Sequence, residues 1–359
     1  MNLKKYFNNK KVLITGHTGF KGSWLSLYLL KKGAKVVGIS DREVSIPSHY
    51  RSLKLKKKIK DNRINLKDLY KLKKAISFHK PDYIFHLAAQ AIIKTSYENP
   101  LETWTSNTFG TLNLLESLKN IKKKTTVVLI TSDKVYKNIE IKKGYKETDI
   151  LGGEDPYSAS KASTEILINS YIKSYFNKRS NNNISIAVAR AGNVIGGGDW
   201  SKGRLIPDCI KSWGKKDLVE IRSPFSTRPW QHVIEVVYGY IKLAVYLSKN
   251  NNLHGEAFNF GPSLNKNYRV IDIVKKMKKN WKNVNWKVLD NRKNLFKENK
   301  LLQLDSTKSQ IKLNWKCKLN IDQTIDLVSN WYKSYYKNPK GIYNLSLSQI
   351  NFYEKLIKN

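Results

Sequence analysis

The sequence predicts an α/β fold, a doubly wound parallel sheet with a smaller, discontinuous C-terminal domain. Short β-branched apolar runs alternate with amphipathic stretches through the first half of the chain, a glycine-rich turn follows the first run, and the pattern loosens after Arg190. The runs Lys11 to Thr15, Lys35 to Ser40, Tyr83 to Leu87, Thr126 to Thr131 and Ile184 to Arg190 are read as strands. Each is almost continuously apolar, as a strand covered by helices on both faces must be. Each is followed by a helix-like segment, such as Ser23 to Lys32. Beyond Arg190 come Gly196 to Gly198, several prolines and tryptophans, and shorter elements.

With 359 residues and 40% hydrophobic content, the chain can bury one large core and a smaller second unit. It contains no run of eighteen apolar residues, and its start reads as a basic leader into a strand; a cytoplasmic protein with no membrane partner is expected. Cys209 and Cys317 lie far apart without other ligand-type residues nearby, so neither a disulfide framework nor a metal site is indicated. The formal charge of +38 would suit a polyanion. Its lysines, as at Lys54 to Lys60, Lys122 to Lys124 and Lys275 to Lys279, are instead scattered among predicted helices and loops. A solvated surface, and no nucleic-acid partner, is the expectation.

The turn after the first run is Thr15-Gly16-His17-Thr18-Gly19-Phe20-Lys21-Gly22. Glycines at 16, 19 and 22 allow a tight turn, close backbone approach to a pyrophosphate, and tight packing of helix on strand. The helix amino terminus then faces the anion. Strand, loop and helix in this order are the Rossmann-type dinucleotide signature. Beyond the second strand, Asp41 suits the ribose hydroxyls of NAD, whereas Arg42 would accept the extra phosphate of NADP; the reading favours NAD and leaves NADP open.

Tyr157 and Lys161 are four residues apart on a predicted helix and share a face. A lysine ammonium there would lower the phenol's pKa and make Tyr157 a base for a hydroxyl proton while the cofactor takes hydride. Thr131, Ser132, Asp133 and Lys134 follow an apolar strand, where the carboxyl edge of a parallel sheet places its site. Ser132 can bond the hydroxyl being oxidised; Asp133 and Lys134 add an acid and a base that alcohol oxidation alone does not need. His86 and His232 lack a partnered Ser or Cys motif, so a nucleophile reading has little support.

The motifs TGHTGFKGSW, FHLAAQ, ITSDKVY, DPYSASK, RAGNVIGGGDW, RLIPD and RPWQHV together resemble the CDP-glucose 4,6-dehydratases, within the extended short-chain dehydrogenase/reductase family. The likeness runs from Lys11 to Tyr353 in the same order. GGGDW and RPWQHV are the selective motifs, together with lysine at 134, where related dTDP-glucose dehydratases carry glutamate.

The resemblance implies conversion of CDP-glucose to CDP-4-dehydro-6-deoxyglucose and water, with NAD reduced and reoxidised within one turnover, in deoxysugar synthesis for surface polysaccharide. Tyr157 would take the carbon 4 hydroxyl proton, Asp133 would protonate the departing carbon 6 hydroxyl, and Lys134 would be the carbon 5 base or stabilise the enolate. The implied cofactor residues are Gly16, His17, Thr18, Gly19, Phe20, Gly22, Asp41, Asn65, Leu66, Leu87, Ala88, Ala89, Gln90, Asn107, Thr131, Tyr157 and Lys161. Asn65-Leu66 departs from the relatives' Asp-Ile or Asp-Leu pair at the adenine, although an amide can still bond the ring.

For the substrate, Ser96, Ser132, Asn193, Trp200, Arg204, Arg222, Arg228 and Trp230 are candidates. The NAD-binding domain is placed at 1–190 plus about 232–257, and the substrate domain at 191–231 and 258–359. A homo-oligomer is expected. A 4-epimerase of the same family, or a silent nucleotide- or RNA-binding protein, would be the other readings.

Overall fold

The computed structural model describes residues 1–177, 183–221, 223–264, 267–281, 284–289 and 301–358. Among them a parallel sheet of seven strands forms the centre. Its strands are β1 (Lys11–Thr15), β2 (Lys35–Ser40), β3 (Lys60–Arg63), β4 (Tyr83–His86), β5 (Thr125–Ile130), β6 (Ile184–Ala191) and β7 (Ala257–Phe260). The order across the sheet is β7-β6-β5-β4-β1-β2-β3, and every pairing is parallel, with Leu13 opposite Val37 on one side and Ile84 on the other. The chain therefore winds one way from β1 to β3 and the other way from β4 to β7, which opens a crevice between the ends of β1 and β4.

Successive side chains on each strand enter different cores, as the two-residue repeat of a strand requires. Leu13, Val37, Ile84, Val127 and Val188 face α2 (Leu69–His79), α3 (Gly110–Leu118) and α4 (Pro156–Tyr175) through Ile76, Leu114 and Ile168. Val12, Val36, Phe85, Val128 and Ala187 face the opposite layer, where Trp24 and Leu27 come from α1 (Phe20–Lys31). Two expectations on strands need amending. β3 has the polar sequence Lys-Asp-Asn-Arg and pairs with β2 alone, so an edge position replaces the apolar run that would have marked it. β7 is a four-residue edge strand beside β6, too short to stand out from its surroundings.

Local signals set several helix starts. Asp155 caps α4 by accepting from Ser158 N at 2.9 Å, with proline at the first helical position. The C-terminal half adds α5 (Leu205–Gly214), α6 (Val233–Lys249), α7 (Val270–Lys278), α8 (Ile321–Lys337) and α9 (Ile342–Leu356). α6 packs on α1, β5 and β6 and is buried nearly all round. No helix among the described residues is long and apolar enough to cross a membrane. Cys209 is buried in α5 and burial pushes its thiol pKa up; Cys317 is half-buried, and the two are not joined to each other.

Glu235 of α6 is fully buried and joins three distant segments. Its carboxylate accepts from Lys318 N at 2.8 Å, Leu319 N at 2.6 Å and the Tyr353 hydroxyl at 2.8 Å. Burial holds its pKa above the usual range. Glu235→Ala leaves these donors unsatisfied and is expected to lower unfolding free energy by about 3 kcal/mol. Urea denaturation checks this, and a loss below about 1 kcal/mol would show that the clamp contributes little.

Candidate functional site

The glycine loop sits at the carboxyl end of β1. Gly16 N donates to Ile39 O at 2.8 Å, and Leu87 N donates to Thr15 O at 3.1 Å, so the loop lies between the ends of β2 and β4. Gly16 has φ +74°, and a Cβ there would come within 2.7 Å of Ala88 N; one on Gly22 would lie 2.2 Å from Gly16 O. α1 starts at Phe20 with no side chain capping it, which leaves its first N–H groups available to an anion.

A cleft of about 440 Å³ opens over this loop. Gly16, Thr18, Gly19, Phe20 and Gly22 form its floor. One end is walled by Asp41 after β2 and Asn65 and Leu66 after β3; Leu87, Ala88, Ala89 and Gln90 follow β4. Thr131 after β5, Tyr157 and Lys161 on α4, and Trp200 and Arg204 from the second half complete it. Asp41 and Arg42 both reach the cleft, with side chains 45% and 74% exposed.

Two of the expected cofactor residues stand behind this wall. The His17 ring is buried beneath β2, where Nε2 meets Asp61 Oδ1 at 2.8 Å and Nδ1 meets Ser40 Oγ at 3.1 Å. A Cβ on Gly38 would come within 2.4 Å of the ring, and burial draws the imidazole pKa down. Asn107 is also buried. Its amide accepts from Gln90 N at 2.8 Å and donates to Gln90 O at 3.1 Å and Ser160 Oγ at 2.8 Å, so it shapes the cleft through Gln90.

Asp133 is 2% exposed in the turn after β5. Ser132 Oγ donates to its Oδ1 at 2.9 Å, while Oδ2 has no hydrogen-bond partner among the described residues. A Cβ on Gly192 would lie 1.8 Å from that oxygen, so the carboxylate fits only because residue 192 has no side chain. Ser132 also bonds Tyr157, whose phenol feels the Asp133 charge. Tyr157, Lys161, Ser132 and Asp133 thus form one cluster. Its electrostatics differ from the sequence expectation: burial pushes the Tyr157 phenol up to about 12, and the groups drawing it back are Ser132 and Arg204, not Lys161. Burial likewise takes Lys161 down to about 8, opposed by Glu165. Loss of water around both groups outweighs the benefit expected from their spacing.

Lys134 lines a second cavity, of about 250 Å³, with Tyr97, Asp155 and Ser158. Consecutive residues at the start of α4, Tyr157 and Ser158, therefore face different cavities. Ser96 is fully buried and donates to Ile93 O at 2.7 Å, between Thr95 on the cleft and Tyr97 on the second cavity.

The remaining candidates divide. Trp200 stands on the cleft against the ring of Tyr332, 5.2 Å away, and Arg204 Nη1 pairs with Asp199 Oδ2 at 3.0 Å. Asn193 (φ +45°) accepts at its carbonyl from Gln231 N at 3.3 Å; Arg228 donates to Thr227 O at 2.8 Å and Trp230 Nε1 to Tyr268 O at 3.0 Å. These last three line neither cavity. Arg222 lies outside the described residues.

Sequence reasoning passed over Lys21, Asp199 and Glu165. Lys21 lines the cleft, and burial together with Arg204 takes its pKa down to about 8. Its place between Gly19 and Gly22 was the available signal, as Asp199 within GGGDW and the four-residue step from Lys161 to Glu165 were for the others.

Over 335 residues the sequence is 40% identical to the CDP-glucose 4,6-dehydratase of Salmonella typhimurium, an alignment covering 92% of this chain and 93% of that protein. The fold is similar to an epimerase of Methanothermobacter thermautotrophicus, with a TM-score of 0.81 at 22% identity over 95% of this chain and 97% of that one. It is also similar to the dTDP-glucose 4,6-dehydratase of Bacillus anthracis in complex with NAD, with a TM-score of 0.75 at 20% identity over 94% and 99%. The GDP-mannose 4,6 dehydratase family model matches residues 13–328, more than half of the chain, and the protein belongs to that family.

Proposed function

We propose that this protein converts CDP-glucose to CDP-4-dehydro-6-deoxyglucose and water, with NAD as a recycled cofactor. The observation that carries the reading is the buried Asp133 carboxylate beside Tyr157, one oxygen of which has no partner among the described residues, an acid that oxidation or epimerisation at carbon 4 does not require. The 40% identity to a CDP-glucose 4,6-dehydratase over 92% of the chain supports the choice of substrate.

The cleft fits a dinucleotide. Its floor is backbone that no Cβ could replace at residues 16 and 22, the start of α1 is uncapped, and Asp41 stands beyond β2 for a ribose. Bound NAD supplies first the acceptor and then the donor of a hydride. Gly16, Thr18, Gly19, Phe20 and Gly22 would hold its pyrophosphate, and Asn65 and Leu66 its adenine; Leu87 to Gln90, Thr131 and Lys161 line the rest of the cleft and would hold the remainder.

Tyr157 takes the carbon 4 hydroxyl proton, and Ser132 orients that hydroxyl. With a ketone at carbon 4 the carbon 5 hydrogen becomes acidic; Lys134 lines the second cavity, so its role there, as base or as the cation that steadies the enolate, requires the hexose to reach past Tyr157 toward that cavity. Asp133 is the group placed to deliver a proton to the leaving carbon 6 hydroxyl. Arg204 and Trp200, on the cleft, are the best-placed contacts for the nucleotide diphosphate, within a substrate domain of residues 191–231 and 258–359. The enzyme works in the cytoplasm as a homo-oligomer. Leu101, Phe109 and Ile166, exposed by 75%, 55% and 62% on segments packed against one another, supply an apolar face for a second copy.

Incubation with CDP-glucose is expected to yield a keto sugar with its alkaline absorbance; unchanged sugar or a simple epimer rejects the dehydratase. Tyr157→Phe should lower kcat by roughly 10²–10⁴-fold while CDP-glucose binding by calorimetry stays within a few-fold. Loss of both would make the residue structural. In Lys134→Ala, solvent deuterium entry at carbon 5 should fall more than oxidation at carbon 4, and equal losses would remove its specific role.

A further inference from the structure

Behind the cleft wall lies a charged network that the proposed chemistry does not use. Glu165, one turn beyond Lys161 on α4, is 5% exposed, and Arg190 on β6 is 3% exposed. Arg190 Nε donates to Glu165 Oε1 at 2.9 Å and Oε2 at 3.0 Å, and its Nη2 adds a further ion-paired contact. Glu165 Oε1 also accepts the hydroxyl of Thr131, a cleft residue, at 2.6 Å. On its far side Arg190 donates to the Tyr136 hydroxyl at 2.7 Å, which in turn donates to Asn259 Oδ1 at 2.7 Å on β7.

A buried ion pair gains little stability over apolar residues of the same volume, so its presence at this point calls for another reason. One carboxylate here serves three neighbours: an arginine, a hydroxyl on the cleft, and a lysine at helical spacing. We infer that Glu165 is a positioning residue of the reaction: held in place by Arg190, its carboxylate fixes the Thr131 hydroxyl on the cleft and stands one helical turn behind Lys161. The inference rests on the reading of Tyr157 and Lys161 as the oxidising pair.

The surroundings of Lys161 leave Glu165 as the acidic group that acts on it. Tyr157 and Glu165 share its helix, Lys21 faces it from α1, and His86 faces it from β4. Asp133 and Lys134 come from the turn after β5, Asp133 beside Tyr157 and Lys134 on the second cavity. On the segments packed outside α4, Lys94 pairs with Glu98, Lys67 with Glu102 and Lys119 with Glu116. Lys161 titrates near 8 because burial favours its neutral form and Glu165 resists that. A lysine that must be charged supports activity below its pKa and ceases to do so as pH rises through it. Removing the opposing carboxylate therefore moves the alkaline limb of the rate profile toward neutrality.

The test is Glu165→Gln, with Glu165→Asp as the conservative variant and Glu165→Gln/Arg190→Met as the variant that leaves no unpaired buried cation. Lysine side-chain NMR on the full chain without substrate, with Lys161→Met for assignment, should show the Lys161 midpoint falling by about one pH unit in the Gln-containing variants. It should stay near the wild-type value in Glu165→Asp. The alkaline limb of kcat should move by the same amount, giving about a fivefold loss at pH 8 with little loss at pH 6.5. An unmoved Lys161 midpoint, or a rate loss equal at every pH, would overturn the inference. A shifted midpoint in the Gln-containing variants, when the wild-type protein makes no keto sugar, would sustain the Glu165 coupling and reject the proposed reaction instead.

Discussion

The contact between the glycine loop and the end of β4 is the constraint on which the site depends. Gly16 lies so close to Ala88 N, and Gly22 to Gly16 O, that no side chain fits at either position. Backbone approach of this kind brings α1 down onto the sheet with its uncapped amino terminus over the crevice. The crevice in turn exists because the chain reverses its winding between β1 and β4. Topology and loop chemistry thus point at one place, and the residues at the ends of β2, β4 and β5 reach it without further instruction.

A second close approach governs the chemistry. Asp133 is buried with one oxygen held by Ser132 and the other without a partner among the described residues, in a space that exists because residue 192 is glycine. A buried acceptor without a partner is costly, and such costs are tolerated where a ligand completes the bonding. The same interior raises the Tyr157 phenol and lowers the Lys161 ammonium, since each must shed water to sit there. Glu165 and Arg190 stand immediately behind, with the wall residue Thr131 bonded to the carboxylate.

Polar anchors tie the second half of the chain together and join it to the first. Glu235 on α6 gathers the segment at Lys318 and Leu319 together with Tyr353 on α9. Tyr136 reaches Asn259 on β7. Trp200 and Arg204 are carried to the cleft from this half, so the site is completed by residues distant in sequence from the glycine loop.

What the sequence by itself determined was the set of features carried by local repetition and spacing: five apolar strands, the loop at 16 to 22, the Tyr157 and Lys161 pair, and the turn at Ser132 and Asp133. Each depends on residues within a few positions of one another, where period and steric demand act directly. Tertiary structure decided the rest. It made strands of Lys60–Arg63 and Ala257–Phe260 by offering them sheet edges, turned His17 and Asn107 behind the wall, and set Lys134 on a second cavity. It also fixed the protonation balance of Tyr157 and Lys161, because burial arises from segments far apart in the chain and no local pattern encodes it.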